Sequence, residues 1–86
     1  MSNKEKKIKV SRTQTGVRIE TRMLKVLKAQ AEYYNLSLGD LLEGIVLHAF
    51  EGSSPFKGEG LEKIAALKEV YGMDYDASSS HQMIES

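Results

Sequence analysis

Residues 12–20, RTQTGVRIE, are the one run in this chain whose side chains alternate with a period of two. In an extended backbone Thr13, Thr15, Val17 and Ile19 fall on one face, and Arg12, Gln14, Gly16, Arg18 and Glu20 fall on the other. The first face is β-branched throughout, which suits a pleated surface, while the second carries two arginines and a glutamine. The alternation therefore predicts a strand over 12–19. A strand cannot stand alone, because its backbone N–H and C=O groups need partners. With no second alternating run in the sequence, the simplest partner is the same strand of a second copy. The expectation is a homodimer.

Helical spacing begins where the alternation stops. At about 100° per residue, Met23, Leu24, Leu27, Ala31 and Tyr34 gather into one core-facing stripe, predicting a first helix over 21–34. Thr21 is the expected N-cap, Asn35 suits a left-handed C-terminal stop, and Leu36 can fold back on the last turn. Ser37-Leu38-Gly39-Asp40 has the pattern of a capping box and predicts a second helix over 38–50. On that helix Leu38, Leu41, Leu42, Ile45, Val46, Ala49 and Phe50 cover roughly half the circumference, wider than the usual core-facing stripe. Such a face predicts contact with the chain's own core on one side and with another subunit on the other. The residues expected at that dimer interface are Val17, Ile19, Leu41, Leu42, Ile45 and Ala49.

The order of strand, helix, short turn and helix resembles the ribbon-helix-helix family of DNA-binding proteins, of the Arc and MetJ type. The resemblance rests on Gln14 to Ile19 as the strand and on Leu24, Leu27 and Ala31 inside the first helix. Leu36-Ser37 then marks the turn, and Leu41, Leu42, Ile45 and Ala49 the second helix. It implies a mostly α fold in which two strands pair antiparallel across a dimer axis and the ribbon enters the DNA major groove. By the same resemblance Gln14, Gly16 and Arg18 occupy the base-reading positions, and the backbone N–H groups around Ser37, Leu38 and Gly39 clamp a phosphate. Arg12, Arg22 and Lys25 are expected to add phosphate contacts. Gly16 offers no side chain, so two side chains per strand remain to read bases. The implied function is a DNA-binding transcriptional regulator.

Charge distribution supports a polyanionic partner. Lysine and arginine balance aspartate and glutamate over the 86 residues, but residues 1–28 carry nine basic against two acidic groups, a net +7, and the remainder carries −7. Asymmetry of this kind points the basic end at nucleic acid. A strand-helix-helix unit of about 40 residues buries too little surface to fold alone without metal, disulfide or oligomerisation. Cysteine is absent, and His48 and His81 lie far apart without a spaced carboxylate cluster, so no metal or other cofactor is expected. No apolar run approaches the roughly 18 residues of a membrane span, and the lysine-rich start is not followed by a hydrophobic segment, so the expected location is the cytoplasm.

The chain divides into a basic flexible arm (1–11), the dimerising DNA-binding unit (12–51), a linker (52–59), a third helix (60–72) and an acidic, polar tail (73–86) expected to be disordered. Gly52-Ser53-Ser54-Pro55 marks the linker, and Phe56 offers a hydrophobic anchor. The third helix is amphipathic, with Leu61, Ile64, Leu67, Val70 and Tyr71 on one side. Val26, Ala29 and Tyr33 on the first helix and Leu47 on the second lie off the apolar stripes and offer it a docking surface. An alternative reading keeps the fold and makes the acidic C-terminal part a docking element for another protein, as in an antitoxin-like module. No enzyme is expected. Ser78-Ser79-Ser80-His81 lies in a tail that cannot hold a base and an oxyanion site in register, and Gly58-Glu59-Gly60 lacks the lysine of a phosphate loop.

Overall fold

A computed structural model describes residues 7–85, and the chain is mostly helical: α1 spans Thr21–Tyr33, α2 Leu38–Phe50 and α3 Glu59–Val70, followed by a single 3-10 turn at Ala77–Ser79. The first six residues of the expected basic arm lie outside the described part. No strand occurs among the described residues, and the strand predicted over 12–19 is not formed in the single chain. Residues 7–19 instead run without backbone–backbone hydrogen bonds to other described residues. The physical reason is the one that made the segment conspicuous: nothing else in this chain can supply the other half of a ladder.

The helix ends follow local chemistry. All three helices finish in a Schellman arrangement, with the residue after the cap in the left-handed region: Asn35 at φ 60°, Gly52 at 70° and Gly72 at 68°. In each case the next amide reaches five residues back, Leu36 to Ala31, Ser53 to His48 and Met73 to Lys68, at 2.8–2.9 Å. Ser37 caps α2 as its spacing predicts, its hydroxyl accepting from the Asp40 N–H at 3.1 Å. The cap of α1 differs from expectation. Glu20, not Thr21, holds that position, its carboxylate accepting the Met23 N–H at 3.0 Å. Glutamate is long enough to fold back onto the first turn, and it brings a negative charge to the positive end of the helix dipole.

Helix α1 packs on both α2 and α3, which do not pack on each other. Val26, Ala31 and Leu41 are the buried apolar residues at these contacts. Val26 is thus buried although it lies off the predicted stripe. The linker closes the α1–α3 contact: Phe56 stacks on Tyr34 with ring centroids 6.4 Å apart. A side chain at Gly60 would meet the Tyr34 hydroxyl at 2.7 Å, so the absence of a Cβ lets α3 start this close to α1. Lys63 sits 4.7 Å above the Tyr33 ring, a cation–π contact. The predicted docking of α3 on α1 is therefore present, but its extension to α2 is not. Leu47 stays 61% exposed.

The chain leaves an unusual amount of surface uncovered. Its accessible area is 7400 Å², against about 5100 Å² for a compact chain of this mass. Its radius of gyration is 15.0 Å, against about 12 Å for a compact domain of this length. On α2 the half-buried Leu42 is followed at i+4 and i+8 by Val46 and Phe50, which are 44% and 81% exposed. No helix among the described residues is long and apolar enough to cross a membrane.

Gln30, near the end of α1, is 2% exposed, and neither its amide nitrogen nor its oxygen meets a hydrogen-bond partner among the described residues. A buried amide in this condition loses its hydration without recompense. Gln30→Met, similar in length and apolar, should raise stability by about 1 kcal/mol, read as a higher denaturant midpoint at unchanged slope. A lower midpoint would mean that Gln30 is paired when the protein is in solution.

Candidate nucleic-acid interface

The residues expected to meet DNA lie along the extended segment and the start of the two helices that follow it. Gln14, Gly16 and Arg18 are exposed, as is Val17, at 74%. Arg12 is tethered. Its guanidinium donates two hydrogen bonds to the Glu43 carboxylate of α2, Nε at 2.8 Å and Nη2 at 2.9 Å. That bidentate fork holds the Glu43 carboxyl below the usual carboxylate range and raises the Arg12 guanidinium further. The contact ties the beginning of the segment to α2.

At the other end of the segment stands a compact polar cluster. Arg22 donates from Nε to Glu20 at 3.0 Å and from Nη1 to the Gly72 carbonyl at 2.9 Å and to Asp74 at 3.3 Å, and its guanidinium lies 5.3 Å above the Tyr75 ring. The Tyr75 hydroxyl donates to Glu20 at 2.5 Å. Glu20 therefore accepts three kinds of donor: a phenol, a guanidinium and the Met23 amide. Its pKa falls to about 2, the tyrosine hydrogen bond being the largest cause. Tyr75 is pushed up to about 12 by partial burial and by the carboxylate it faces.

Sequence reasoning places Arg22 among phosphate contacts. In the folded chain it spends its donors on Glu20, Gly72 and Asp74. Lys25, by contrast, is exposed and makes no ion pair among the described residues. At the α2 terminus the Ser37 hydroxyl is occupied by the Asp40 amide, which leaves the first N–H groups of the helix, at Leu38 and Gly39, without backbone partners. Of the expected interface residues, Leu41 is buried against α1, Ile19, Leu42 and Ile45 are half-buried, and Val17 and Ala49 are exposed.

The tail is the part least visible in the sequence. Residues 73–85, compositionally a disordered segment, return to the extended segment: Glu85 pairs with Arg18, Asp74 with Arg22, and Met83 and Ile84 line one cleft with Val17 and Ile19. The signal is present as the opposite charges of the two chain halves, but composition cannot say that they meet. Ser78, in the serine run, donates its hydroxyl to Asp76 at 2.6 Å, and the His48 ring nitrogen Nδ1 bonds the Gly44 carbonyl of its own helix at 2.8 Å. No group of three or more metal-ligating side chains occurs among the described residues.

The Glu20–Tyr75 pair predicts a specific titration. Glu20 has a lowered pKa, so its contribution to stability is present above the ordinary carboxylate value and is lost as pH falls through about 2. Tyr75 has a raised one, so its contribution is present below the ordinary phenol value and is lost as pH rises through about 12. Tyr75→Phe should move the Glu20 midpoint upward toward the usual carboxylate range, followed by carboxyl-carbon NMR. An unmoved midpoint would show that the hydrogen bond is not formed.

No protein-family model matches this chain, and no curated protein or solved structure matches it.

Proposed function

We propose that the chain is a DNA-binding transcriptional regulator acting as a homodimer, in which residues 12–19 of two copies pair as an antiparallel ribbon that enters the major groove of double-stranded DNA. The observation that carries this reading is the extended segment itself. It has unsatisfied backbone groups, exposes Gln14 and Arg18, and leads directly into two capped helices, the second of which leaves an apolar stripe uncovered. Pairing with a second copy would satisfy the backbone through the ladder and cover Leu42, Val46 and Phe50 in the same step. In this reading Gln14 and Arg18 read base edges, and Gly16 lets the backbone approach. Lys25 and the free N–H groups of Leu38 and Gly39 hold phosphates. Arg12 and Arg22 serve more to fix the ends of the ribbon than to touch DNA, because both are held by carboxylates of their own chain.

A second reading is favoured by one observation. Helix α3 leaves Leu61 exposed at its start, next to Glu59 and Glu62, and Val70 exposed at its end, next to Glu69. That surface suits a partner protein, as an antitoxin-like module would need, and it does not conflict with DNA binding by the other end of the chain.

Assembly is tested at Val46. In a monomer a half-exposed side chain can become Glu at a cost within about 0.5 kcal/mol. In the proposed dimer it would bury a charge, so Val46→Glu should lower the melting temperature and abolish the dimer in sedimentation. A wild-type protein that sediments as a stable monomer would sink the proposal. DNA recognition is tested with Arg18→Ala, which should cost on the order of 1–3 kcal/mol at the preferred site. Lys25→Ala should weaken all sequences alike and reduce the slope of log affinity against log salt by about 0.9 for each phosphate left without its lysine. If Arg18→Ala binds the preferred site as well as the wild type, the ribbon is not the reader.

A further inference from the structure

We infer that residues 73–85 form an intramolecular cap on the DNA-facing segment, so that DNA binds only when the cap is released. The inference rests on the DNA-binding reading and names a regulation of the same surface. The cap is joined at two places. Asp74 and Tyr75 engage Arg22 and Glu20 at the base of the segment, and Glu85 engages Arg18, the one arginine proposed to read bases. Between these points Met83 and Ile84 border the same open cleft as Val17 and Ile19, with Ile84 94% and Val17 74% exposed, so the tail is held by its polar contacts rather than by apolar burial. An Asp74 or Glu85 carboxylate offers a guanidinium the same planar pair of oxygens that a phosphate offers. The tail therefore occupies Arg18, the donor proposed to read bases, and holds Arg22 at the base of the segment, in both cases with a negative charge.

The strength of the joint suits a cap rather than a permanent closure. Both partners of the Arg18–Glu85 pair are exposed, as is Asp74. Exposed ion pairs are weak and are further weakened by salt. What makes the contact more than a surface accident is Tyr75, whose half-buried ring lies under Arg22 while its hydroxyl bonds the carboxylate that also caps α1. The tail is thus fixed at its base and loosely held at its tip. A tail docked for most of the time lowers apparent affinity in proportion to the fraction of chains left open.

The test is a titration of a labelled duplex at low salt with the full chain in four forms. Asp74→Asn/Glu85→Gln should tighten binding about fivefold, and Tyr75→Phe, which changes no charge at neutral pH, about two- to threefold. Glu62→Gln/Glu69→Gln removes the same charge from exposed positions of α3 and should change affinity less than twofold. In parallel, the Met83 methyl signal should move from a docked to a random-coil position in the first two variants and on saturation of the wild type with DNA. Equal gains from the tail and α3 variants would reduce the effect to net charge and overturn the cap. So would a released Met83 methyl with no gain in affinity, or a methyl already at its random-coil position in the wild type. If all four forms show a docked or released tail as expected but none binds DNA, the DNA-binding reading fails, and the cap fails with it as a gate on that activity.

Discussion

Helix α1 is the shared wall of the molecule, and the rest of the arrangement follows from its two packed sides. α2 lies against one, centred on Leu41, and α3 against another, where Phe56 and Gly60 bring it close to Tyr34. Because α3 goes to α1 and not to α2, the far side of α2 has no cover within the chain. Gln30 lies buried near the C-terminal end of this wall, with no hydrogen-bond partner among the described residues. A core resting on Val26, Ala31 and Leu41 is small for a chain of this length. At roughly 25 cal/mol per Å² of apolar area, the stripe Leu42–Val46–Phe50 represents a larger gain than any of these contacts singly, provided another surface covers it.

Where the sequence is legible, a single residue type carries the information. Asn35, Gly52 and Gly72 end helices because the left-handed conformation is cheap there, and Ser37 starts one because its hydroxyl reaches an orphan amide. These are local matters and need no knowledge of the fold. Leu47 and Glu20 are misread from the sequence because their roles are decided elsewhere. Leu47 stays exposed because α3 packs on α1 and not on α2, and Glu20 displaces Thr21 as a cap while also bonding Tyr75. The alternation over 12–19 is plain, but its expression as a strand depends on a molecule that one chain does not contain. Of the candidate interface, the exposure of Gln14, Gly16 and Arg18 follows from pattern. The engagement of Arg12, Arg18 and Arg22 by carboxylates of the same chain does not, since charge balance says nothing about which acid faces which base.

The zero net charge is the sum of two opposite halves, and the fold brings parts of those halves together. Arg12 meets Glu43, Arg22 meets Asp74 and Arg18 meets Glu85, each pair linking the basic N-terminal part to the acidic remainder. These contacts are not equivalent. The Arg12–Glu43 fork is bidentate and joins two elements of the same unit, so it orients the segment without occupying its centre. Of the two tail contacts, Arg18–Glu85 lies where DNA is proposed to bind and Arg22–Asp74 lies at the base of the segment. Salt acts on the two functions in opposite directions: it screens the attraction of the segment for phosphates and also loosens the tail.

The proposed ribbon and the proposed cap also compete for a single stretch of backbone. Val17 and Ile19 border the cleft that the tail also lines in the single chain and would face the rest of the dimer once two strands pair. The tail meets them as part of the same molecule, at an effective concentration of order millimolar for a short tether. A second copy must come from solution. At low protein concentration the tail therefore holds the segment, and pairing gains as concentration rises or as DNA gathers two copies on one site. Covering Leu42, Val46 and Phe50 adds to the paired side of this balance, while the tail's polar contacts go to Arg18, Glu20 and Arg22. Assembly, cap release and DNA binding are then three descriptions of one equilibrium, and a change at the α2 stripe alters DNA affinity without touching a residue that faces DNA.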